Sequence, residues 1–424
     1  MRSNKKIELN GERTLVEYSK SVLSNNVRVV TEYIPTVRSA SIGIWIDSGS
    51  RDENPDENGI SHFLEHTVFK GTEKRNLKAI ATSIESVGGY LNAFTGKEQT
   101  CYYARVLDEN IELAVDVLSD LVLNALFPSS EIEKEKLVVL EELKDLEDDP
   151  DDLIHDIFEL NLFKKHNLGL PVLGNKDTVC SFTKKQLIKR CQEYYTADRM
   201  VVAAAGNIHH NEFVLLVEKY LKNTNQQSAI QNVRIRPEEY SSDTIVMKRQ
   251  IQQAHVCMGK PTYSIKSEHR FALQVLNTLL GEGMSSRLFQ HIREKLGYAY
   301  SIYSFMNLMS DVGSFGVYLA ADARKQEKAV DAVKWELERL CKKEISASEL
   351  SRTKMQFKGN LMLGLENIPN RMMRLGSSEL IFGHTRNIDD ILKDIDAVTV
   401  EDVQTLAKEV FNLEDFTTVL FLPS

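Results

Sequence analysis

Only five cysteines occur in 424 residues, and Cys101, Cys180, Cys191, Cys257 and Cys341 are scattered, odd in number and never arranged as Cys-x-x-Cys. That pattern excludes a disulfide framework and a thiolate metal site, and it reads as small buried side chains in a reducing compartment. Positive charge is also in short supply. Lys and Arg number 52 against 61 Asp and Glu, the formal charge is −9, and no basic stripe appears. A nucleic-acid binder, whose affinity rests on neutralising phosphates, is therefore not expected. No run of eighteen apolar residues is present, and the opening "MRSNKKIELNGERTL" is basic without an apolar stretch behind it. The expectation is a cytoplasmic protein with no membrane span. What remains, 42% hydrophobic and 27% charged, is material for about two to three packed domains.

The segment 28–50, "RVVTEYIPTVRSASIGIWIDSGS", alternates and is β-branched, which predicts a strand pair. A helical segment follows, then strands through "VGGYLNAFTGKEQTCYYARVL" and a helix through "NIELAVDVLSDLVLNAL". The same order recurs from residue 244, with "TIVMKRQIQQAHVCMGKPTYS" strand-like, "HRFALQVLNTLLG" helical, "YAYSIYSFMNLMSDVGSFGVYLAA" strand-like and a helical pair after it. This predicts an internal duplication: an N-terminal half over 1–222, a polar linker over 223–239 and a related C-terminal half over 240–424.

One feature is missing from the second half. The first carries His62-Phe-Leu-Glu65-His66, and the second has no counterpart. On a helix, residues four apart share a face one turn apart, so both imidazoles and Glu65 project together. Two imidazoles so placed suit zinc, while a glutamate between them is too close in sequence to be a third ligand and is free to act as a base. The same five residues are equally compatible with one more solvated amphipathic turn, and a third ligand has to come from elsewhere. Phe69, three residues after His66, falls on the same face.

A helix is predicted after Pro128, where Ser130 and Glu133 have capping-box spacing, running as "EIEKEKLVVLEELKDLED" to Pro150. With Ile132 at zero, Val139, Leu143 and Leu146 fall in one stripe, and Glu135 and Glu142 lie inside or beside it, at about 300° and about 280°. Two carboxylates seven apart on an inward face are either surface charges at the edge of the stripe or groups held by a cation. In the second case Glu142 is the third ligand and Glu135 orients a histidine or the attacking water.

With these residues in place, the chain resembles the pitrilysin/insulinase family of zinc peptidases. The likeness is nearest to the branch that holds the mitochondrial processing peptidase β-subunit and its bacterial single-chain relatives. "GISHFLEHTVFKGT", "VGGYLNAFTGKEQTCYYARV", "EKEKLVVLEELKDLEDDPDDLIHD", "LGLPVLGNKDTV", "YYTADRMVVAAAGNI" and "SSRLFQHIREKLGYAYSIYS" stand in the family's order and cover nearly the whole chain. The resemblance implies an α/β (α+β) fold of two homologous halves, each a largely antiparallel sheet covered by helices, enclosing a peptide chamber. It implies one Zn²⁺ per chain on His62, His66 and Glu142, which stands 76 positions after His66, with Glu65 as general base and Glu135 as a second functional glutamate. It implies that an unfolded peptide pairs with the edge strand carrying Asn92, Ala93, Phe94 and Thr95. It further implies that Arg293 and Tyr300 of the second half assist, with Tyr298 the rival for that face. Two acidic positions, ten and fourteen after the glutamate ligand, recognise an arginine two residues before the cut in the processing peptidase, and they match Asp152 and Asp156. Phe69 would line the pocket just after the cut. The function expected is a zinc endopeptidase working as a homodimer. The alternatives are the catalytic subunit of a heterodimer and a non-catalytic structural relative. Only Gly281 and Gly283 occur in "LLGEGMSSRLF" (279–289), so the long glycine-rich loop of the processing peptidase's non-catalytic subunit is absent.

Overall fold

A computed structural model describes residues 17–225, 227–228, 234–240 and 242–424. The N-terminal stretch 1–16 and, within the expected linker, residues 226 and 229–233 lie outside the described residues. Among the described residues no helix is long and apolar enough to cross a membrane.

The first sheet contains β1 (Glu17–Val22), β2 (Arg28–Tyr33), β3 (Ser39–Ile46), β4 (Tyr90–Thr95), β5 (Thr100–Leu107) and β6 (Met200–Gly206), in the order β1-β2-β6-β3-β5-β4. The second contains β7 (Thr244–Arg249), β8 (Ala254–Thr262), β9 (Ala299–Leu308), β10 (Gly313–Ala321) and β11 (Thr417–Pro423), in the order β7-β11-β8-β10-β9. Leaving β1 aside, the two orders are the same. In each, the first and last strands of the repeat pair in parallel, β2 with β6 and β7 with β11, and every other pairing is antiparallel. The duplication read from the sequence is thus repeated strand for strand. One local expectation changes: β2 and β3 are not neighbours, because the returning strand β6 lies between them.

Each sheet is covered on both faces, which is why central strands such as β6 and β10 are buried at every position. On the first sheet Ile42, Ile44 and Ile46 point one way, where the helices Ile111–Asn124 and His210–Leu221 pack. Trp45, Val30, Val201, Ala203 and Ala205 point the other way, against Ile368, Met372 and Leu375 of the helix Ile368–Phe382. On the second sheet Val256, Phe315, Val317 and Leu319 join a core with the helices Arg270–Gly281, Gln326–Lys342 and Val400–Val410. Its other face, with Cys257, Tyr318, Ala320, Val419 and Phe421, is covered by Leu153, Ile154, Phe158 and Leu162 of the helix Pro150–Leu162.

The compact units are therefore not the contiguous halves 1–222 and 240–424. The first is Met1–Glu141, Val172–Val233 and Gly364–Thr385, and the second is Glu142–Pro171, Arg234–Leu363 and Arg386–Ser424. Each half of the sequence lends the equivalent helix to the other half's sheet. The cause is ordinary burial: four large apolar side chains on 150–162 each gain about 1.5–3 kcal/mol by leaving water. The lent helix of the first unit comes so close that a Cβ on Gly376 would sit 2.1 Å from the Trp45 indole nitrogen. Its register is set by charge. Fully buried Glu32 of β2 takes Arg371 and Arg374, and fully buried Glu379 takes Lys20 at 2.7 Å and Arg28 at 3.6 Å. Such pairs specify an arrangement more than they stabilise it.

Candidate active site

The His-x-x-Glu-His residues stand on the helix Ile60–Val68. It begins at Gly59, whose φ of +92° and whose approach to Leu173 O, 2.6 Å from where a Cβ would be, leave room only for glycine. No capping side chain sits at Gly59 itself; buried Glu53 takes that part. Its carboxylate accepts the N–H groups of Gly59 at 2.7 Å and Ser61 at 2.8 Å, and the Asn58 amide at 3.1 Å. Burial raises the Glu53 pKa, against the opposing pull of the Arg190 charge and the N–H groups. Buried Arg190 spreads its guanidinium over Asp52 O, Gly49 O, Ser48 Oγ and, at 3.0 Å, Ser61 Oγ. Ser61, directly before His62, is thus gripped at its backbone by Glu53 and at its hydroxyl by Arg190.

His62 and His66 lie with ring centroids 4.5 Å apart. The helix Ser129–Asp148 brings Glu142 to them, and ligand atoms of His62, His66 and Glu142 all fall within 4.8 Å of one another. The first bonds of that helix go to Pro128 O, so Ser130 lies inside the helix and the expected capping box is not formed. The division into units falls after Glu141, but the helix is unbroken across it.

This donor set fits zinc. Ligand atoms of a tetrahedral zinc bound at 2.0–2.1 Å lie about 3.3 Å apart, so only a small closure separates the arrangement from a filled site. The surroundings of His62 keep it in the neutral form a metal needs. Burial, with the neighbouring His66, pushes the His62 pKa down to about 4. His66 Nδ1 lies 2.9 Å from Oε1 of Glu135, which is 4% exposed. Burial works against ionisation of Glu135, but the hydrogen bonds from His66 and Lys70 outweigh it and hold its pKa below the ordinary range. An ionised Glu135 makes Nδ1 the donor and leaves Nε2 as the nitrogen that can bind a metal. The two glutamates picked out on the helical plot thus part company: Glu142 converges with the histidines, and Glu135 stands behind one of them.

Glu65 accepts a hydrogen bond of 2.5 Å from Thr95 Oγ1 at the end of β4. β4 is the edge of the first sheet, as the "LNAFT" reading expects, and among the described residues it pairs with β5 alone. Asn92 is tied to Tyr90 by a 2.6 Å hydrogen bond and to the Ala93 N–H. Phe94 turns inward to meet Trp45 edge-on at 5.5 Å, so it anchors the strand. Phe69, half-buried, lies against Tyr102, whose hydroxyl bonds that of Tyr195 at 2.7 Å.

The remaining expected residues belong to the second unit. Arg293 lies on a wide π-type turn, Phe289–Lys295, over the rings of Phe289 at 4.7 Å and Tyr300 at 5.9 Å. Tyr300 is 71% exposed and Tyr298 packs against the core. Alternation would have put the two tyrosines on one face. It fails because the register of β9 on β10 slips there: Ser301 pairs with Ala320 and Ala299 with Ala321, leaving Tyr300 as the extra, bulged residue. Asp152 and Asp156 lie on the helix Pro150–Leu162, as expected, Asp152 exposed and Asp156 half-buried. Asp149 caps that helix, and Asp151 is engaged by Tyr318 at 2.6 Å and His255 at 3.0 Å.

Glu53, Arg190 and Lys70 were not anticipated. Lys70 could have been, since it stands one further turn past His66. Arg190 comes from a helix more than a hundred residues away and carries no local signal.

The comparisons with known proteins bear on the family and the fold. Residues 28–176 match the model described as insulinase (peptidase family M16), and residues 181–357 match that of the peptidase M16 inactive domain. An uncharacterized zinc protease of Bacillus subtilis is 42% identical over 400 residues, covering 94% of this chain and 97% of its own. One from Streptomyces coelicolor is 41% identical over 408 residues, with 95% and 89% covered, and one from Rickettsia felis 35% over 396 residues, with 93% and 95% covered. Among solved structures, a protease from Helicobacter pylori has the same fold with a TM-score of 0.88 at 22% identity, over 96% of this chain and 100% of that one. A Pseudomonas fluorescens structure described as a peptidase M16 inactive domain gives 0.90 at 18% identity, over 96% and 98%. The chain belongs to peptidase family M16, the insulinase family.

Proposed function

We propose that this chain is a zinc-dependent endopeptidase that cuts unfolded peptides or presequence-like segments, with one zinc held by His62, His66 and Glu142. The observation that carries the reading is the convergence of those three ligands, whose ligand atoms lie within 4.8 Å of one another. When bound, zinc supplies Lewis acidity to the scissile carbonyl and to a water. Glu65, steadied by Thr95, takes the proton from the attacking water and returns it to the leaving amine. The peptide lies along the free side of β4 as an added strand, its backbone pairing with residues 92–95. Phe69 meets the residue after the cut.

Purified protein should contain about one zinc per chain, and a chelator should abolish cleavage while leaving the circular dichroism spectrum unchanged. Zinc-free protein with full activity would sink the reading. Because an added strand must be extended, unfolded forms of a protein should be cut and its folded form spared; equal cleavage of both would refute strand addition. In this reading the enzyme is a homodimer, supported by the Arg293 and Tyr300 pair in the same chain and by the short 279–289 segment. Gel filtration of protein expressed alone, with peptidase assays on the fractions, tests that.

A further inference from the structure

Lys70 follows the C-terminal end of the motif helix, and its Nζ lies 2.6 Å from Oε2 of Glu135. The other oxygen of the same carboxylate, Oε1, lies 2.9 Å from His66 Nδ1. A carboxylate held at one oxygen can swing about its last side-chain bond, whereas one held at both has its plane fixed. The imidazole bonded to it is then fixed as well. Glu135 is nearly fully buried, so no bulk water stands ready to replace a missing partner. Lys70 is itself only 21% exposed at the side chain, which makes the contact part of the interior.

We propose that Lys70 is a positioning residue for metal binding: acting through Glu135, it locks the His66 ring with Nε2 aimed at the metal. The proposal rests on the reading of His66 as a zinc ligand. Lys70→Met keeps the length and the apolar stem and removes the charge and the donors. It should weaken zinc binding, measured by competition with a chromogenic chelator, by about 10- to 100-fold, the usual effect of losing a partner that orients a ligand. Lys70→Arg, which restores a cationic donor, should recover most of the loss. Cobalt substitution supplies a second readout. The visible band of the cobalt protein should shift in Lys70→Met and return in Lys70→Arg.

A merely structural lysine is distinguished by a double-mutant cycle. If Lys70 acts through Glu135, adding Lys70→Met to Glu135→Gln should change zinc affinity no further. Additive losses in that cycle, or wild-type affinity in Lys70→Met, would overturn the proposal while leaving the zinc site in place. Wild-type protein that binds no zinc would remove both the site and the proposal. Should Lys70→Met fold poorly, Lys70→Gln enters the same cycle and the same outcomes decide.

Discussion

Thr95 donates to Glu65, while the two oxygens of Glu135 face His66 and Lys70, so two chemically identical side chains stand in different surroundings and the proposed function gives them different work. Glu65→Gln keeps size and most contacts but removes the base. It should retain about one zinc per chain and lose turnover by about 10²- to 10⁴-fold, and metal analysis showing lost zinc would make Glu65 a ligand. Asp152 and Asp156 are a separate case. They stand one turn apart on the helix Pro150–Leu162, a spacing that lets both carboxylates grip one guanidinium. Negative charge in the first turn of a helix is favourable without any ligand, so stability measurements would say little about their role. Substrate specificity does. The double variant Asp152→Asn, Asp156→Asn should lower kcat/KM by more than about tenfold on peptides with Arg two residues before the cut, since charge-assisted bonds are lost. An equal loss on peptides lacking that Arg would point to damage of the fold instead.

Among the elements, two glycines make opposite predictions from the same substitution. Gly376 lies on the helix Ile368–Phe382, where a Cβ would meet the Trp45 indole at 2.1 Å; Gly359 lies on the helix Ala347–Gly364 with nothing within 4 Å. Gly376→Ala should destabilise by about 1–3 kcal/mol through overpacking, whereas Gly359→Ala should stabilise by about 0.4–1 kcal/mol through the unfolded state. Denaturant midpoints of the two variants check both signs. What the sequence discloses follows the reach of each signal. Helical spacing alone placed His62 and His66 on one face and picked out Glu135 and Glu142, because a helix is a local object with a fixed period. Alternation found β2 to β5 and β7 to β10, but not β1, β6 or β11, nor that β6 enters between β2 and β3, since pairing is decided by partners far along the chain. The stripe Leu153, Ile154, Phe158, Leu162 announces a buried face without naming what buries it. Tyr300 escaped alternation because a bulge is a property of two strands together. Arg190 escaped because its value lies wholly in where its helix comes to rest.

Taken as a whole, the molecule is a duplicated chain whose halves have exchanged one helix each. A fragment of residues 1–222 would therefore lack the cover over Trp45, Val201, Ala203 and Ala205 and would carry Leu153, Ile154, Phe158 and Leu162 with no sheet to receive them. That fragment should aggregate or bind a hydrophobic dye strongly. Co-expression with residues 223–424 should restore soluble, zinc-binding protein, and a monomeric, dye-negative 1–222 would contradict the exchange. The same exchange sets a clock on biosynthesis. The last strand of the first sheet ends at Gly206, and the helix that seals its exposed face ends at Phe382, 176 residues later. At about 5–20 residues per second the ribosome needs roughly 10–35 s to cross that interval. For that time the nascent chain carries the face of Trp45, Val201, Ala203 and Ala205 without the helix that covers it in the finished molecule.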